Sequence, residues 1–146
     1  MIKDVYPYLP SENNLVFVFQ SKGIQGSILK IILFSHKEGN VWNLGFGDLQ
    51  DNAINDSIIT NNHDAMKIMR TVAQATLDFF AEYPNSSVEI NPVDEKRKRL
   101  YNIVLQKNFV NIDTVFNIIG ISDNFEEAYS QKNNYDRFKI SRKFVA

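Results

Sequence analysis

The sequence predicts an α+β fold, in which a mainly antiparallel sheet that begins with a three-strand meander carries two main helices packed on one face. Three observations lead there. Short β-branched and aromatic runs punctuated by glycine fill residues 15–48, two helical patterns follow at about 64–83 and 94–109, and the order β-β-β-α-β-α-β-β repeats no βαβ unit.

"LVFVFQSKG", 15–23, is β-branched and aromatic and ends at Gly23, which makes it a strand. After the turn "GIQG", "SILKIILFSHK" at 27–37 is apolar at nearly every position, as in a strand covered on both faces. "VWNLGFGD", 41–48, sets Trp42, Leu44, Phe46 and Asp48 on one face against Val41, Asn43, Gly45 and Gly47 on the other. The Asn- and Asp-rich stretch 49–64 reads as a loop with a short extended piece at Ser57–Thr60. In the first helix Lys67, Arg70, Gln74, Asp78 and Glu82 recur at steps of three or four, so one narrow stripe is wet. Asn62 or Asp64 is placed to cap it, and Pro84 ends it. "SSVEI", 86–90, is a short strand before the Asn91-Pro92 breaker, and Asp94 can cap the second helix. The segments 114–122 and 135–145 read as strands, and "NFEEAYSQ", 124–131, as a helical turn.

A chain of 146 residues suits one domain over 1–146, burying roughly 70% of its unfolded surface, with an irregular segment at 1–14. It holds no cysteine, which excludes disulfides and thiolate chemistry and suits a reducing, cytoplasmic setting. The longest apolar run, "ILKIILF", is broken by Lys30, so no membrane association is expected, and Asp4 and two prolines interrupt any signal-peptide pattern near the start. The net charge of −1 conceals an asymmetry: residues 1–95 carry six basic against twelve acidic groups, and 96–146 carry ten against five. Such asymmetry suits a nucleic-acid face, a self-association surface, or two halves that cancel when folded.

Signatures of catalysis are sparse. The glycine pairs in "GIQG" and "GFGD" precede no helix N-terminus that could take a phosphate, Ser21, Ser27 and Ser57 lack a nucleophile-elbow context, and Asp48/Asp51 and Glu126/Glu127 sit in polar surroundings. His36 falls at a hairpin tip. His63 beside Asp64 at a helix start is the one imidazole–carboxylate pairing, and with Arg97 it forms the candidate polar centre. No second histidine stands at ligand spacing, so neither metal nor cofactor is expected.

The second helix opens on Lys96, Arg97, Lys98 and Arg99, which at about 100° per residue span roughly 300° and cannot join one flat patch. Arg97 lies three and four residues before Leu100 and Tyr101, toward the buried side, where a carboxylate should meet it. Lys96 and Lys98 diverge into solvent. Acting with Lys132, Arg137, Lys139, Arg142 and Lys143, the cations Lys96, Lys98 and Arg99 could track a phosphate backbone or an acidic partner, with Tyr129, Tyr135 and Phe138 as stacking groups.

The succession "FVFQSKGIQGSILKIILF", "NLGFGD", "ITNNHDAMKIMRTVAQATLDFFAEYP", "RKRLY" and "NNYDRFKISRK" resembles an uncharacterised bacterial family of Bacteroidetes type, over about residues 15–143. Arg97 and Arg99 match its R-x-R-L-Y segment. The family pattern sets a Gly-Ser-Thr-like turn before that segment where this chain has "NPVDE", so an activity carried by that turn would be missing here. The resemblance implies no activity. The expectation is a cytoplasmic binding or interaction module that meets a protein partner or another copy of itself. Nucleic-acid binding through the cations is the alternative, and an enzyme of unknown class the second.

Overall fold

The computed structural model describes residues 2–24, 26–50, 53–55 and 64–143; the extended piece expected at Ser57–Thr60 and His63 fall outside the described residues. The chain divides into two compact units, Met1–Ser35 with Gly45–Tyr83 and His36–Leu44 with Pro84–Ala146.

In the first unit the alternation of "VFVFQSKG" does what period two requires: in β2 (Val16–Gly23), Phe17, Phe19 and Ser21 are buried while Gln20 and Lys22 are exposed. Strand β3 (Gly26–Glu38) pairs with it antiparallel, Phe17 opposite Ile32 and Phe19 opposite Lys30. Although β3 reads as apolar throughout, it alternates too, with Lys30, Ile32 and Phe34 buried and Ile31 and Leu33 half-buried between them. Strand β4 (Val41–Gln50) completes the meander, and β5 (Ala53–Asn55) pairs back onto its end. The segment before residue 15 is not wholly irregular: β1 (Tyr8–Pro10) adds an edge opposite Phe17–Phe19.

Helix α1 (Ala65–Glu82) buries Ile68, Val72, Ala75, Phe79 and Phe80, and its last turns meet the sheet through aromatic rings. Phe34 stacks on Phe79 with centroids 4.3 Å apart, and Phe17 meets Phe34 edge-on at 6.0 Å. Within this apolar interior lies a charge. Lys30 and Asp48 are 1% and 2% exposed and form an ion pair, with the Lys30 ammonium 5.8 Å from the centre of the Phe46 ring. Asp48 follows the parity of Leu44 and Phe46 within β4, as the alternation predicts, but it is buried where polar surroundings were expected.

In the second unit β6 (Ser87–Ile90) pairs parallel to the start of β4 and antiparallel to β9 (Arg137–Arg142), which continues antiparallel to β7 (Phe116–Ser122) and through it to β8 (Phe125–Ala128). Strand β8 corrects the expected helical turn at 124–131. Asp123 adopts φ 53 and Ser122 pairs with Phe125, so a two-residue Asp-Asn connection folds the chain back along β7 before a helix can start. β8 is the last strand of the order, and Phe125 on it is 62% exposed.

Helix α2 (Glu95–Ile112) is capped as its sequence predicts: the Asp94 side chain accepts from the Arg97 N–H at 2.8 Å. Asn102 brackets the backbone of Tyr135, accepting from its N–H and donating to its carbonyl, both at 2.8 Å. That contact holds the Tyr135 ring where a Cβ added to Gly120 would overlap it, so the glycine in β7 is required by close approach.

Replacing Lys30 by Met strands the Asp48 carboxylate in an apolar interior. Urea denaturation of Lys30→Met should show a loss of about 3–5 kcal/mol, and Lys30→Met with Asp48→Leu should recover most of it. A single variant as stable as the parent would show that the pair is not buried.

Candidate functional site

Strand β1 pairs with β2 only as far as Phe19, which leaves Gln20–Lys22 without a strand neighbour on that side. The backbone that precedes β1 supplies Tyr6 instead. Its hydroxyl accepts from the Lys22 N–H at 3.1 Å and lies 2.6 Å from Asp64 Oδ2. The Lys22 carbonyl is 3.1 Å away, but a carboxylate is the stronger acceptor for the single hydroxyl proton.

Of the two capping candidates Asn62 lies outside the described residues, and Asp64 stands at the N-cap position of α1 but its side chain makes no cap hydrogen bond. The reason is competition. Oδ2 receives the Tyr6 hydroxyl and, at 2.5 Å, the Ser21 hydroxyl, so the carboxylate is drawn onto β2 and away from the helix N–H groups. Oδ1 is buried and has no hydrogen-bond partner among the described residues.

Around this cluster a groove of about 1110 Å³ opens between the β1–β2 edge and the first turns of α1. Tyr6, Tyr8, Phe19, Leu9, Leu29 and Met66 give it an apolar and aromatic lining, and Lys22, Lys67 and Arg70 bring cations. Lys67 lies over the Tyr6 ring, 4.4 Å from its centre. Arg70 binds Asp4 through a 2.7 Å ion pair and a 3.0 Å bond to its carbonyl, whereas Lys22 is exposed and no carboxylate pairs with it among the described residues.

The other predicted site residues are dispersed. Arg97 is buried, as its spacing from Leu100 and Tyr101 implies, and its Nη1 meets Asp94 at 2.6 Å, while Nη2 has no partner among the described residues. Asp64 and Arg97 therefore belong to separate networks in separate units. Lys98 is not simply solvated: Glu95 at 2.8 Å and Asp136 at 3.1 Å hold its ammonium. The Asp123 N–H, and after it Lys98, keep the Asp136 carboxyl below the ordinary carboxylate range. Lys143 bonds the carbonyl and carboxylate of Asp113. Lys139 is the direct neighbour of Glu89 across β6 and β9, and Lys37 binds the same carboxylate at 2.8 Å. On β9 the alternation places Arg137 and Lys139 on one face and Arg142 on the other, while Lys96, Arg99 and Lys132 are exposed elsewhere. Tyr129, Tyr135 and Phe138, expected as stacking groups, are buried and pack on one another. His36 is exposed, with Nε2 2.8 Å from the Gly39 carbonyl. Among the described residues no cluster of three metal-binding side chains occurs, and no helix is long and apolar enough to cross a membrane.

The groove residues Tyr6 and Lys22 were not singled out by sequence reasoning, and Ser21, which bonds Asp64, was weighed only as a nucleophile. One signal was present for Ser21: it shares the inward parity of Phe17 and Phe19, an unusual place for a hydroxyl without a partner.

The chain belongs to DUF6934, a family of unknown function whose profile matches residues 2–143. No curated protein and no solved structure is detectably similar to it.

Burial, and after it the hydrogen bond to Asp64, raises the Tyr6 hydroxyl above its ordinary 10.0. Burial likewise raises Tyr8, bonded to Asp78, and Tyr135, and pushes Tyr129 up to about 12. A folded state that retains these protons is stabilised below the unfolded value and loses that stabilisation as pH rises beyond it. Urea midpoints should therefore fall above pH 10, and Tyr6→Phe should reduce the steepness of the fall. A tyrosinate absorbance titration that is the same for native and denatured protein would contradict the burial of these hydroxyls.

Proposed function

We propose that this member of a family without an assigned activity works by binding, and that its groove accepts a partner segment or ligand that joins an apolar or aromatic body to an anionic group. The observation that carries this reading is the composition of the groove, an aromatic lining rimmed by cations of which Lys22 has no carboxylate beside it among the described residues. Apolar walls with a few placed polar groups are the usual makeup of a ligand site. Asp64 adds a carboxylate to the same wall: one of its oxygens takes two hydroxyl donors, and the other is buried with no partner among the described residues.

Catalysis is the weaker reading. Ser21 is fully buried and donates its proton to the Asp64 carboxylate, so its hydroxyl is closed off from an incoming substrate. Nucleic-acid binding also has less support, because Lys98 and Lys143 each lie against a carboxylate, Lys139 stands across the strands from Glu89, and the proposed stacking rings are interior. Work in a reducing compartment such as the cytoplasm suits a chain with no cysteine.

Anilinonaphthalene sulfonate, an aromatic sulfonate, is a direct probe of the groove. Its fluorescence should rise saturably with the folded protein, and Lys22→Glu and Leu29→Glu, both at exposed positions, should each weaken binding about tenfold or more, or ~1.4 kcal/mol. Equal binding by the parent and both variants, with unchanged circular dichroism, would remove the groove reading. A labelled single-stranded oligonucleotide should titrate flat even at about 50 mM salt, where phosphate contacts are strongest. Saturable binding there would reinstate the nucleic-acid alternative.

A further inference from the structure

Helix α2 buries Arg97, Val104, Leu105, Asn108 and Ile112. On the side directly opposite, Lys96, Arg99, Ile103, Lys107 and Val110 are all exposed, Ile103 at 42% and Val110 at 73%. At about 100° per residue these five fall within roughly 80° of one another, and from first to last they extend roughly 21 Å at about 1.5 Å per residue. The helix therefore presents a narrow line of three cations and two β-branched apolar groups. No carboxylate pairs with Lys96, Arg99 or Lys107 among the described residues, although Lys98, on another side of the same helix, has two. A line of unneutralised cations with two apolar groups between them gives the helix itself no evident stability, since β-branched residues are indifferent helix formers and exposed cations near a helix start oppose its dipole.

We infer that this line is a docking surface for an acidic amphipathic segment of a partner protein, one that places carboxylates against Lys96, Arg99 and Lys107 and small apolar side chains against Ile103 and Val110. Charge complementarity selects that occupant. A second copy of the chain joined symmetrically through the same line would set cations against cations. A bilayer surface calls for a broad apolar face with aromatic or leucine side chains, and this one is a seam only two residues deep in apolar content. A nucleic-acid strand calls for stacking rings beside the cations, and the line has none. The line shares no residue with the groove of the first unit, and its success or failure leaves the groove reading untouched.

The test is fluorescence anisotropy with a labelled, designed helical peptide that carries Leu at i, i+3, i+4 and i+7 spacing with Glu alongside, compared with the same peptide bearing Gln for Glu. The full-length protein should bind the Glu peptide saturably and the Gln peptide at least about tenfold more weakly. Binding should fall by at least about the same factor in Lys96→Glu/Arg99→Glu/Lys107→Glu and in Ile103→Asp/Val110→Asp, with helical circular dichroism retained, and should persist in Lys22→Glu. No binding by the parent protein, equal binding by the charge-reversed protein, loss of binding on Lys22→Glu alone, or stronger association with phosphatidylglycerol vesicles than with the peptide would each overturn the assignment.

Discussion

Lys30 and Asp48 put opposite charges into the apolar interior of the first unit, and the strand register there follows from keeping them together. Phe19 stands opposite Lys30, and Phe46 lies beneath the ammonium. Because side chains alternate with a period of two, a slip of one residue between β2 and β3 would expose Phe17 and Phe19 and bury Gln20 and Lys22, while a slip in β3 or β4 alone would part the charges in a medium that cannot solvate them. Such a pair contributes little net stability. What it does is make the neighbouring registers costly, so that Ser21 reaches the position where Asp64 can accept its proton.

Two aspartates at equivalent helix positions illustrate how context assigns a role. Asp94 is free to turn its carboxylate onto the N–H of Arg97 and onto the guanidinium, and it caps α2. Asp64 meets two hydroxyls that arrive from the β1 approach and from β2, and these hold it off the cap of α1. Charge-assisted hydroxyl bonds outweigh the cap bonds they replace. The first unit thus gives up a local stabilising contact in order to place a carboxylate on the wall of a groove.

Much of the fold was legible in the sequence because its signals are local. The meander follows from alternation and glycine turns, α1 from its wet stripe, and the burial of Arg97 from its spacing to Leu100 and Tyr101. Misreadings arose where the deciding contact is distant. "NFEEAYSQ" has an ordinary helical composition, and only the Asp123 turn and the open edge of β7 make it a strand. Lys30 looked like an interruption of an apolar run, and its partner lies 18 positions away on the next strand. Tyr6 could not be identified at all, since its partners Lys22 and Asp64 are brought to it by β1 and α1.

The two outer strands solve the problem of an open sheet edge in different ways. β1 is three residues long and ends on Pro10, so it offers a second chain few backbone groups to pair with. β8 has no proline and exposes Phe125, which leaves Glu126 and Glu127 as its guards against edge-to-edge growth. Glu127 suits this duty because the Tyr135 hydroxyl at 2.5 Å, and after it Asn133, hold its carboxyl below the ordinary range. The charge on that edge therefore persists in acid that would neutralise an unassisted glutamate. The tyrosine that requires Gly120 in β7 thus also helps to keep a negative charge on the outer strand, where charge opposes edge-to-edge pairing.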